Sequence, residues 1–110
     1  MFVFNDKLTE IPFGYGIRMT DLQGAANMNA LRWQTPVGTV SLVHDHPEEQ
    51  FGYILKGSFE VTIGDETRLL AAGDCYFIPG GVAHQFRMIE DSVAIDVFSP
   101  PRPVPEPMET

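Results

Sequence analysis

Glycine and proline punctuate this chain too evenly for long helices: ten glycines and nine prolines are spread among 110 residues. They cut it into short runs rich in Val, Ile, Phe and Tyr, side chains that suit a pleated, half-buried surface. The runs that read as strands are Ile17–Thr20, Asn27–Gln34, Thr39–His44, Phe51–Lys56, Phe59–Ile63, Glu66–Leu70, Cys75–Ile78, His84–Met88 and Val93–Phe98. Lys56-Gly57-Ser58 and Gly64-Asp65 read as hairpin turns in which glycine supplies positive φ. No window of helix length holds an apolar helical period between caps, although Asp21–Ala30 leaves room for a helical turn. Short strands at this spacing predict an all-β sandwich or barrel, and the length allows one small domain.

The two ends depart from this pattern. Met1–Thr9 carries alternating Phe2 and Phe4, suited to an edge strand or to docking on a partner subunit. Prolines at 100, 101, 103, 105 and 107 bar the C-terminal segment from a sheet interior. The expected organisation is a barrel domain over residues 1–103 with an N-terminal edge strand, then a flexible Pro-rich tail over 104–110.

Charge narrows the partners. Fifteen acidic against seven basic side chains give a formal net charge of −8. That excludes nucleic acid, because phosphate binding needs clustered Lys and Arg, and it disfavours anionic membranes. No apolar run approaches a transmembrane span, and Met1-Phe2-Val3-Phe4 lacks the basic start of a signal peptide. The single cysteine, Cys75, excludes an internal disulfide, so a reducing cytoplasm is the expected location. With no histidine beside it in sequence, Cys75 reads as a structural thiol rather than a nucleophile.

The chemistry concentrates in three histidines. His44-Asp45-His46 ends a β-like run, and period-two alternation puts both imidazoles on one face, within reach of a single metal ion. Gln50 continues the same parity after Pro47, and His84 is the one remaining histidine. The wider spacing is more specific: Gly38-x5-His44-x-His46-x3-Gln50-x6-Gly57, then Gly73-x5-Pro79-x-Gly81-x2-His84. This pattern resembles the two motifs of the cupin superfamily over about half of the chain, Gly38 to Met88. The resemblance implies a double-stranded β-helix, a jelly-roll barrel, with one divalent metal held by His44, His46, Gln50 and His84. Two positions depart from the family pattern. Its glutamate ligand is Gln50 here and its final asparagine is Met88. Glu48 and Glu49 stand nearby as alternative ligands, but parity disfavours Glu49 and only Gln50 keeps the six-residue spacing to Gly57. Three neutral imidazoles and a neutral amide leave the ion its full charge, and suit Ni, Zn, Fe, Mn or Co without choosing among them.

The final strand adds a second feature. Asp96 interrupts the apolar run Val93-Ala94-Ile95-Asp96-Val97-Phe98, and a carboxylate in such a place is costly unless paired or used. Asp96 and Phe98 share a face, and Arg102 follows just beyond the strand. Asp96-Val-Phe98-Ser-Pro-x-Arg102, with Gln50 and the start Met1-Phe2-x-Phe4-Asn5, is similar to the KdgF-type cupins of pectin and alginate breakdown. That resemblance implies a metal-dependent enzyme, of lyase or isomerase type, acting on 4,5-unsaturated uronates to give the linear 5-keto-4-deoxyuronate. It implies Asp96 as proton shuttle, Phe98 against the sugar ring, and Arg102 or Arg18 on the carboxylate. Two other classes compete, a small Fe(II) cupin dioxygenase and a non-catalytic cupin that binds a sugar or small organic acid. Trp33 reads as a core or dimer-interface residue, with lining of a sugar site left open. Tyr53 and Tyr76 read as packing residues, whether Arg32 reaches the pocket or solvent stays open, and Glu48-Glu49 reads as a solvated turn. A barrel of this size leaves sheet edges to cover, so a homodimer is expected, with Phe2, Phe4 or the tail at its interface.

Overall fold

A computed structural model describes residues 1–107. Among these it has nine strands, one 3-10 turn at Asn5–Lys7 and no α-helix. The strands are β1 (Glu10–Gly14), β2 (Ile17–Gly24), β3 (Asn29–Thr35), β4 (Glu49–Lys56), β5 (Ser58–Ile63), β6 (Glu66–Ala71), β7 (Cys75–Ile78), β8 (His84–Met88) and β9 (Ser92–Ser99). They form a six-stranded sheet in the order β1-β2-β3-β9-β4-β7 and a three-stranded sheet in the order β6-β5-β8. All neighbouring pairs are antiparallel. The all-β expectation holds, in a two-sheet jelly-roll arrangement. None of the described helical segments is long and apolar enough to cross a membrane.

Alternation does the sorting. On β9, Ser92, Ala94, Asp96 and Phe98 are buried, while Val93, Ile95 and Val97 face outward and are half-covered. The inward residues divide the core into two clusters. One gathers Ile54, Phe59, Val61, Tyr76, Ile78, Met88 and Ala94 between the sheets. The other gathers Phe13, Ile17, Met19, Leu31 and Phe98 toward the β1–β2 hairpin, with Trp33 edge-on to Phe13 at 4.9 Å.

Three stretches differ from the expectation. Thr39–His44 is not a strand, although it runs beside β8 with isolated bridges at Val40–Arg87 and His44–His84. Ser41 explains the break: its carbonyl accepts from the Gln85 side chain, and its hydroxyl oxygen takes the Phe86 N–H. Side chains thus occupy part of a ladder that backbone groups would otherwise complete. At the N-terminus, Phe2 and Phe4 are exposed and lie in no strand among the described residues; the edge strand is Glu10–Gly14. Pro12 hid it, yet an edge strand is where a residue without an N–H is tolerated. No helical turn forms across Asp21–Ala30, which instead supplies the end of β2 and the start of β3. Of the tail expected to be flexible over 104–110, residues 108–110 lie outside the described part.

Gly52 is the tightest packing point of β4. Its register partners are Tyr76 on β7 and Asp96 on β9. A Cβ on Gly52 would fall 1.9 Å from the Tyr76 ring. The missing side chain is therefore the space through which Tyr76 crosses β4 toward Asp96. We expect Gly52→Ala to destabilise the fold by about 3 kcal/mol, the upper range for over-packing a well-filled core. Urea unfolding monitored by tyrosine and tryptophan fluorescence measures it.

Candidate metal centre

Three segments bring the three histidines together. His44 and His84 face each other across an isolated bridge whose two backbone hydrogen bonds, 3.1 and 2.9 Å, tie the loop before β4 to the start of β8. His46 follows two residues later, and Gly81 N–H donates to its carbonyl at 2.8 Å. The ring centroids of His44 and His84 lie 4.2 Å apart, and those of His46 and His84 4.9 Å. One ring nitrogen from each residue fits within 4.8 Å of the others, close enough to ligate one ion.

The hydrogen bonds behind the rings fix which nitrogen faces inward. Nδ1 of His44 lies 2.9 Å from the Leu42 carbonyl, Nδ1 of His46 3.0 Å from that of Glu48, and Nδ1 of His84 2.9 Å from that of Val82. A carbonyl only accepts, so each Nδ1 carries the proton and each Nε2 keeps its lone pair. His84 Nε2 is buried and has no hydrogen-bond partner. Such an orphan is rare in folded proteins and calls for an electron-pair acceptor. Gln50 adds a fourth donor, its Oε1 lying 3.1 Å from His46 Nε2. The residues present fit a divalent transition ion held by His44, His46, His84 and Gln50.

Gln50 stands where the glutamates do not. Glu49 is exposed. Glu48 is buried, contrary to the solvated turn expected from its sequence, but its carboxylate lies 3.5 Å from His46 Nδ1, behind the ring and away from Nε2. It braces the ligand from the rear.

Asp96 and Phe98 form the adjoining wall. Phe98 is buried with its ring centroid 5.6 Å from that of His46. The Arg102 guanidinium also stands over the Phe98 ring, 5.5 Å from its centroid. Asn29 holds Arg102 in place through its backbone: the side-chain oxygen accepts the Arg102 N–H at 2.9 Å and the amide donates to the Arg102 carbonyl at 2.8 Å. Asp96 Oδ1 accepts a 2.6 Å hydrogen bond from the Tyr76 hydroxyl.

Burial raises the Asp96 pKa, opposed by hydrogen bonds from Tyr76 and Gln50 and by the nearby charges of Arg102 and His46. Burial also lifts Tyr76 well above the ordinary phenol range, and the Asp96 charge adds to it, so Tyr76 remains a proton donor. His84 is lowered chiefly by burial, against an upward pull from its bond to Val82, with His44, His46 and Arg102 lowering it further. A depressed imidazole stays neutral and available as a ligand to lower pH.

Arg18 is not brought to this site. It alternates with the buried Ile17 and Met19 on β2, projects outward and pairs with Glu10 at 2.7 Å. Arg32 faces outward too, donating to Asn5 at 3.0 Å. Cys75, read as a structural thiol, is exposed on β7 and forms no disulfide. Tyr76, set aside in the sequence as a packing residue, does pack, but its hydroxyl serves Asp96. The one available signal was Gly52, since an interior strand glycine marks a close approach.

This fold and site define the class. Residues 31–98 match the family model for the cupin domain, and the chain belongs to that family. It is 40% identical over 67 residues to the pectin degradation protein KdgF of Dickeya dadantii, covering 59% of this chain and 61% of that protein. It is 34% identical over 76 residues to an uncharacterized protein of Streptomyces coelicolor, covering 68% of this chain and 72% of the other. Among solved structures, KdgF from a Halomonas species superposes with a TM-score of 0.87 at 30% identity, covering 94% of this chain and 96% of that one.

Removing the orphaned ligand tests the centre. We expect His84→Ala to weaken Co(II) binding by more than the roughly 10- to 100-fold that loss of a ligand's hydrogen-bonding partner costs. Acidification should release the ion from the native protein, because protons compete for the same Nε2 lone pairs. Competition against a chromophoric chelator, at several pH values, measures both.

Proposed function

We propose that this chain is a metal-dependent cupin enzyme that converts 4,5-unsaturated uronates, as released by pectin or alginate lyases, to the linear 5-keto-4-deoxyuronate. One observation carries the reading: the Phe98 ring neighbours both His46 of the ligand cluster and the Arg102 guanidinium, with Asp96 two residues away on the same buried face. Similarity to two KdgF proteins supports it.

Ring opening breaks the bond between C1 and the ring oxygen, leaving an aldehyde at C1 and an enol at C5. Ketonisation then adds a proton at C4 and removes the enol proton. Atoms are conserved and no electrons are exchanged, so the reaction needs proton transfer and stabilised oxyanion character. A divalent ion (Ni, Zn, Fe, Mn or Co) with neutral imidazole and amide ligands would supply that polarisation undiminished by ligand charge. Asp96 accepts the proton leaving the anomeric hydroxyl and delivers one to the opened chain; its raised pKa suits exchange in both directions. Phe98 offers its face to the sugar ring. Arg102 takes the carboxylate in a planar, two-point contact, a role for which Arg18 is turned the wrong way.

The test is a spectrophotometric assay on lyase-generated unsaturated mono-uronate. The alkene absorbance should fall with native protein, persist after chelation and fall again once metal is restored. Arg102→Ala should raise KM about 10- to 100-fold, the worth of a charge-assisted contact. Binding without loss of the alkene would make the chain a non-catalytic sugar binder, and substrate-dependent oxygen uptake would make it a dioxygenase. The same proposal includes a homodimer, since Phe2, Phe4, Tyr53 and Phe77 all expose apolar surface. Gel filtration at the size of a single chain would count against the dimer.

A further inference from the structure

The Gln50 side chain lies between the histidine cluster and Asp96. On one side its Oε1 is 3.1 Å from His46 Nε2, which has no proton because Nδ1 holds it against the Glu48 carbonyl. On the other side is the Asp96 carboxylate, buried on the same inward face of the adjacent strand, and hydrogen bonding from Gln50 holds its pKa down against burial. An amide has one accepting end and one donating end, and a carboxylate can only receive. The donating NH2 therefore belongs to Asp96 and the oxygen to the histidines. Sheet register brings the two side chains onto one face: on β4 and β9, Gln50 pairs with Phe98 and Gly52 with Asp96, all four on the inward side. Asp96 in turn is held by the Tyr76 hydroxyl at 2.6 Å, reaching through the gap left by Gly52.

We propose that Asp96, fixed by Tyr76, is the positioning residue that turns the Gln50 oxygen toward His44, His46 and His84. Positions 50 and 96 then form an interdependent pair, an amide facing a carboxylate. This accounts for the departure of Gln50 from the cupin glutamate. A glutamate at position 50 would set two carboxylates side by side in a buried site, and like charges there are costly. An asparagine at position 96 would reverse the requirement. With its oxygen still accepting from the Tyr76 hydroxyl, its NH2 would face position 50, invert the Gln50 amide and point a second NH2 at the histidines. A glutamate at position 50 would then fit again, with one oxygen toward that NH2 and the other toward the metal.

The test is a double-mutant cycle on the full chain with Co(II) as probe, read by chelator competition and by the visible spectrum of the bound ion. Asp96→Asn should weaken Co(II) about 10- to 100-fold and alter the spectrum, while Tyr76→Phe should weaken it less. Adding Gln50→Glu to Asp96→Asn should recover most of the loss. The effect of Gln50→Glu on affinity should be at least about tenfold more favourable beside an asparagine at position 96 than beside the native aspartate. Thermal unfolding of the metal-free variants should show the same coupling: Gln50→Glu alone lowers the midpoint and the double variant restores it. If a single variant fails to fold while the double variant folds, the pair is coupled as proposed. If Gln50→Glu changes affinity by the same factor in both backgrounds, or if Asp96→Asn and the double variant both fail to fold, the proposal is overturned. Because only metal binding and folding are read, failure here is separate from failure of the uronate assay.

Discussion

The register of β9 between β3 and β4 is the constraint on which the site depends. β9 is paired on both flanks along nearly its whole length, so its inward side chains have little freedom to shift. A slip by one residue would turn Asp96 and Phe98 to the outside and bury Ile95 and Val97 in their place. The same register sets Gln50 opposite Phe98 and Gly52 opposite Asp96. Ligand, carboxylate and aromatic wall are thus located by backbone hydrogen bonds before any side chain chooses a rotamer.

Much of this was legible in the sequence. The alternation of Val93–Phe98 gave the face of Asp96 and Phe98, and the spacing of His44, His46, Gln50 and His84 pointed to one centre. These are properties of period and distance along the chain. The rest depends on pairing between distant segments. Tyr76 reaches Asp96 only because β7 and β9 both flank β4 at its glycine, and no local pattern around Tyr76 announces that. Arg18 looked available because its parity on β2 could not be assigned without the neighbouring strands. Thr39–His44 has the composition of a strand, but Ser41 and Gln85 divert its ladder with side-chain hydrogen bonds. Glu48 looked solvated because a turn was expected around Pro47; the chain instead folds its carboxylate behind His46.

The charge distribution also has two levels. The net charge of −8 is carried mostly by exposed side chains and describes the surface. At the site, neutral imidazoles and a neutral amide face inward, Asp96 is screened by two hydrogen-bond donors, and Arg102 stands at the edge. An acidic protein can therefore present a locally cation-ready and anion-tolerant site, because burial separates the two populations of charge.

The clasp of Asn29 on Arg102 has a consequence for recognition. Its amide meets the Arg102 N–H and carbonyl together, as a neighbouring strand would, and Ser99 adds a 2.7 Å bond to the Asn27 carbonyl. The main chain leading out of the barrel is thereby ordered when the protein folds, not when a ligand arrives. For the carboxylate contact proposed above, only the rotamers of one side chain would remain to be restricted, a loss of about 0.5–1.5 kcal/mol. In the proposed carboxylate contact that arm would swing from a fixed pivot, so ligands of somewhat different reach would be met by torsion of one side chain while the backbone stays at rest.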